Sequence, residues 1–129
     1  MQLSKYTLGL VAAFLFSAAA AEDPSPQHVQ WMKESGELQG KIRKNVEVEA
    51  SGKRLAALYQ EVGKFWAARS ETGKKSAADI VQGGNALAQA AVAGNAEGVA
   101  AASKIIGGGC RGCHDAHREK ISDTVYKIK

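Results

Sequence analysis

Cys110-Arg111-Gly112-Cys113-His114 places two thiols three residues apart and an imidazole immediately after the second. On a helix, positions i, i+3 and i+4 share a face, so all three groups address one body from one side. That combination is the c-type haem attachment sequence, in which the thiols add across the porphyrin vinyl groups and the histidine binds iron. A chain with two Cys and three His produces it by chance in about 4 of 10,000 shufflings, so the motif is specific. A structural zinc site needs two further ligands, and a thioredoxin-like dithiol expects a preceding strand. Neither fits this sequence. A plain disulfide suits an oxidising compartment but leaves His114 without a role.

The opposite side of the iron narrows by counting. Apart from Met1, Met32 is the only methionine, and only His28 and His117 accompany His114. His117 follows His114 by three residues on the same helix and belongs to the same side of the haem. His28 and Met32 lie four apart, hence on one face of an earlier helix that can cross the haem. Three arrangements follow from the residues alone: Met32 as second ligand, His28 as second ligand, or an open position.

Helices must position these groups. Ser25-Pro26 has the chemistry of an N-cap followed by proline at the first helical position, opening a helix to about Lys44. Gly36 and Gly40 on it leave room for close approach. After a loop near Asn45 to Ser51, a second helix, about Val48 to Arg69, carries Leu55, Leu58, Val62, Phe65 and Trp66 as an apolar stripe. Glu71 to Lys75 reads as a loop and Ser76 to Ala93 as a third helix. Gly94 ends that helix and Asn95 caps a fourth, expected to run from Ala96 to about Tyr126 with its middle weakened at Gly107-Gly108-Gly109. No segment alternates like a strand. The predicted fold is all-α, an antiparallel four-helix bundle with covalently bound haem c.

Residues 1–21 read as an export signal: a positive start ending at Lys5, an apolar stretch from Tyr6 to Phe16, and small residues with an Ala-x-Ala cleavage pattern. The apolar stretch is too short to span a bilayer, which needs about 20 residues. Cleavage leaves one domain, residues 22–129, in a bacterial periplasm, with no further membrane span. In that domain only 18% of residues are Leu, Ile, Val or Phe, a level at which side chains alone often fail to fill a core. Charge is balanced, with 16 basic and 13 acidic residues after removal of Lys5. No basic run or basic-aromatic array marks a nucleic-acid binder.

With a haem motif near the end of an exported helical chain, the sequence resembles the class II cytochromes c, the family that includes cytochrome c′. Arg118 and Lys120 keep the basic residues that follow the motif in that family, and His117 stands where Tyr is common. The resemblance also matches His28 to a basic position, usually Arg, that contacts a haem propionate. It matches Met32 to the residue covering the distal face. In the low-spin branch that residue is Met and binds iron, which implies His114/Met32 ligation here. For Arg118 it implies packing and charge beside the haem, and for the whole chain it implies a homodimer through the first two helices.

The expected function is one-electron transfer in the periplasm, with acidic redox proteins as partners for Lys120, Lys127 and Lys129. The alternative is a five-coordinate protein of the cytochrome c′ type that binds nitric oxide or carbon monoxide. Enzymatic turnover is not expected, because a distal acid or base has no strong candidate beyond His28.

Overall fold

The computed structural model describes residues 21–129; the predicted leader lies outside them except for its last residue, Ala21. Four helices follow in order: α1 Pro26–Arg43, α2 Val48–Ala67, α3 Glu71–Val92 and α4 Ala96–His117. They form a four-helix bundle in which α3 packs against α2 and α4, while α1 rests on α2. The short connections make successive helices antiparallel. No helix among the described residues is long and apolar enough to cross a membrane.

Helix starts follow local chemistry. Ser25 caps α1, its hydroxyl accepting from the His28 N–H at 3.1 Å, with Pro26 in the first turn. Asn95 caps α4, accepting from the Gly98 N–H at 2.9 Å. The start of α3 differs from expectation. Ser70 is its cap, accepting from the Gly73 N–H at 3.1 Å, so Glu71 to Lys75 is the first turn of the helix rather than a loop. A hydroxyl that satisfies an orphan N–H outweighs the loop-like composition of Glu-Thr-Gly.

The fourth helix also differs, ending at His117, and the remaining chain turns back as a hairpin. Strand β1, Arg118–Lys120, pairs antiparallel with β2, Tyr126–Ile128. Arg118 takes an extended conformation, with its guanidinium 3.6 Å from the centre of the Tyr126 ring. Glu22 then bridges to Ile128 through two backbone hydrogen bonds of 2.8 Å, so the start of the described chain completes the clasp. Three-residue strands are too short to register as alternation.

The core lies between α2, α3 and α4. Leu55, Leu58, Val62 and Trp66 of the predicted stripe are buried against Ile80 and Leu87 of α3, with Ala102 and Ile106 from α4. The α2 and α3 backbones touch where Gly52 and Gly84 meet: a Cβ on either would lie 2.7 Å from the other's carbonyl oxygen.

The glycine run in α4 does not interrupt the helix, and its members differ in role. A Cβ at Gly109 would stand 2.6 Å from Ile80 Cγ1 and 2.9 Å from the Ser76 carbonyl oxygen, whereas at Gly107 or Gly108 it would meet nothing within 4 Å. Gly109→Ala is therefore expected to destabilise by about 1–2 kcal/mol, overpacking exceeding the gain in helix propensity. Gly107→Ala and Gly108→Ala should each stabilise by up to about 1 kcal/mol. Thermal melts of the three variants check this; equal shifts at all three positions would contradict the assigned close contact.

Candidate functional site

A cleft of about 340 Å³ opens between α1 and α4, floored by α2 and α3. From α4 it takes Cys110, Cys113, His114 and His117, at offsets 0, 3, 4 and 7, which is one helix face. From α1 it takes His28, Met32, Ser35, Gly36 and Gln39, again one face. Tyr59, Val62 and Trp66 contribute from α2, and Ser76, Ala77 and Ile80 from α3. Arg118, Tyr126, Lys127 and Ile128 of the hairpin, with Pro24, line it as well. The six residues singled out from the sequence as haem-site candidates, His28, Met32, Cys110, Cys113, His114 and Arg118, all line this one cleft, whereas Lys120 and Lys129 do not.

The cysteines are free thiols. Burial pushes both up from the ordinary thiol range, and for Cys113 a charge on Cys110 would add to the rise. Reactive dithiols usually carry a depressed thiol pKa, and burial acts on these two in the opposite direction. Among the described residues no group of three or more His, Cys, Asp and Glu side chains assembles, and the cysteines therefore have no pair of neighbours to close a four-ligand zinc site. Burial, then the charge of Arg118, holds the His114 imidazole below its usual value. It stands neutral near pH 7, the form that can bind a metal.

His28 is not a solvent-exposed first-turn residue. It is 9% exposed and lies among Phe65, Trp31 and Trp66, with ring centroids 5.3, 5.9 and 6.3 Å away. Burial is the main cause that lowers its pKa, followed by His114 and Arg69. Among the described residues its Nδ1 is buried without a hydrogen-bond partner, and so is Trp66 Nε1. Two orphaned polar atoms on one cleft are unusual, because such groups cost about 1–3 kcal/mol each when unpaired.

His117 has a structural position that spacing alone did not show. Its ring stacks on Trp66 at 4.4 Å. Its Nδ1 lies 2.7 Å from the Lys129 carbonyl oxygen, which can only accept, so Nδ1 carries the proton. Nε2 lies 2.7 Å from the Ser70 hydroxyl, which donates to it in the neutral ring. Thus one imidazole joins the α3 cap, the end of α4 and the last residue of the hairpin. Sequence reasoning also missed Trp66, Tyr59, Ser35 and Gln39 as cleft residues. Only Trp66 carried a signal, as the last member of the α2 stripe.

The chain matches no protein-family model, and comparisons with curated proteins and with solved structures find no match.

Proposed function

We propose that this chain is an exported one-electron carrier holding a single covalent haem c, with Cys110 and Cys113 as thioether donors and His114 and Met32 as axial ligands. The observation that carries the reading is the cleft itself. It sets the Cys110, Cys113 and His114 face of α4 across from the His28 and Met32 face of α1, although the two segments are far apart in sequence.

The residues present fit such a group. The thiols and His114 occupy one wall. Gly36, on the opposite wall, leaves open space where a Cβ would project, so a flat body can approach the α1 backbone. The unpartnered His28 Nδ1 and Trp66 Nε1 are suited to donate to carboxylates such as the propionates, with Arg118 and Lys127 on the same cleft. When bound, haem supplies a reversible one-electron couple, and thioether ligation favours a higher potential than two histidines would. The chain's own part is positional. His114 presents a neutral imidazole, Met32 a soft thioether, and the aromatic cluster around His28 limits water at that end of the cleft. Surplus lysines on the hairpin are suited to acidic redox partners.

The test is direct. The full chain, exported through its leader in a bacterium equipped for haem c maturation, should retain haem after acid and organic extraction, and its mass should correspond to cleavage after Ala20 or Ala21. Haem that extracts freely, or a chain that takes up none, would overturn the proposal.

A further inference from the structure

Three polar side chains outside the motif form a hydrogen-bonded chain that ends on one of its two sulfurs. Gln39 Nε2 donates to Cys110 Sγ at 3.7 Å and to Ser35 Oγ at 3.2 Å. Ser35 Oγ lies 2.8 Å from Tyr59 Oη, a bond in which either hydroxyl can donate. Both hydroxyls are buried, Ser35 being 3% and Tyr59 6% exposed, so Gln39 is held in place by partners that water does not reach. Cys110 therefore receives a donor from α1. Among the described residues Cys113 receives none.

We propose that Ser35, Gln39 and Tyr59 are positioning residues for Cys110, holding its sulfur so that it forms the first of the two thioether bonds. The inference rests on the haem c reading given above. In the step concerned, the Cys110 S–H adds across a vinyl double bond: a sulfur–carbon bond forms, the π bond is lost, and the thiol hydrogen ends on the other vinyl carbon. Addition balances without an external oxidant or reductant. The thiolate is the attacking form, and the Gln39 donor on Cys110 Sγ opposes the rise that burial imposes on this thiol. The hydrogen-bonded chain also fixes where the sulfur sits, since Ser35 and Gln39 come from α1 and Tyr59 from α2. The first bond would thus form once haem is seated in the cleft and α1 has docked on it.

The experiment uses the full chain in two single-cysteine backgrounds, Cys113→Ala, where only Cys110 can link, and Cys110→Ala, where only Cys113 can. Gln39→Leu with Tyr59→Phe is added to each, and the fraction of chain carrying covalent haem is read by mass. A loss of about fivefold is expected in the Cys113→Ala background, with no change in the Cys110→Ala background. Equal losses in both, which simple destabilisation would give, overturn the proposal; so does no loss in either. If neither single-cysteine chain links haem, the two-cysteine chain with Gln39→Leu and Tyr59→Phe decides through its singly linked species. A free Cys110 in that species supports the proposal and a free Cys113 overturns it. An unsubstituted chain without covalent haem removes the haem c reading itself, and this inference with it.

Discussion

Met32→Ala is expected to convert the ferric protein from low spin to high spin and to abolish a sulfur-to-iron charge-transfer band. On the reading proposed here, Met32 is the one thioether that can reach the iron, because Met1 belongs to the predicted leader and the chain has no third methionine. The other two histidines of the cleft have roles of their own in the packing. His117 is held by Ser70, Lys129 and Trp66, so releasing it would break two hydrogen bonds and a stacked pair. His28 sits one turn before Met32, wedged among three aromatic rings. His28→Ala should therefore leave the iron low spin while disturbing the aromatic cluster. In Met32→Ala the potential should fall by on the order of 0.1 V, since axial ligands govern most of the range available to haem proteins. Because Met32 also packs on the core, helical circular dichroism of the variant is read beside its spectrum: unchanged helicity with high-spin iron assigns the effect to the lost ligand, and Ala itself suits a helix. A high-spin spectrum in the unsubstituted protein, unchanged by the substitution, would remove Met32 as ligand and favour the open, gas-binding alternative.

How far the sequence shows this site depends on whether a group is placed by one helix or by several. Cys110, Cys113, His114 and His117 share a face through i, i+3 and i+4 spacing within α4, and His28 and Met32 do so within α1. Periodicity alone finds both walls. The residues that join the walls are not periodic signals. Tyr59 is two turns before Trp66 on the same helix, yet nothing in its neighbours shows that its hydroxyl meets Ser35 from α1. Gln39 reads as an ordinary polar residue of an amphipathic helix until α4 brings Cys110 beside it. The hairpin was illegible for a related reason. Its strands have three residues each, and its third partner, Glu22, comes from the other end of the chain. At Gly73 the difference is local: glycine suits a loop by composition, but the cap at Ser70 sets the helix and Gly73 packs under the Trp66 ring.

A chain without haem, made by replacing Cys110 and Cys113 with Ala, is expected to melt over a broad range, with α1 lost before the other three helices. The reason lies in how unequally the helices are buried. Helices α2, α3 and α4 each contribute buried apolar side chains, including Leu55, Val62, Ile80, Leu87 and Ile106. Helix α1 buries only His28 and Ser35, both polar, while Trp31, Met32, Leu38 and Ile42 are partly buried. Its other ties to α2 are mostly polar or aromatic edge contacts, among them the Ser35–Tyr59 hydrogen bond, the packing of His28 and Trp31 on Phe65 and the exposed Arg54–Glu34 and Lys41–Glu47 ion pairs, and an exposed pair contributes little. A haem in the cleft would give α1 an apolar partner of its own. If that partner covers about 200 Å² of apolar protein surface, its loss costs on the order of 5 kcal/mol at 25 cal/mol per Å², enough to unlock a helix held this weakly. Hydrogen exchange resolved by helix should show α1 amides exchanging well before those of α2 and α3, and helical circular dichroism should fall without a single sharp midpoint. A cooperative melt in which all four helices protect equally would show that the thin complement of Leu, Ile, Val and Phe suffices, and that α1 does not depend on what occupies the cleft.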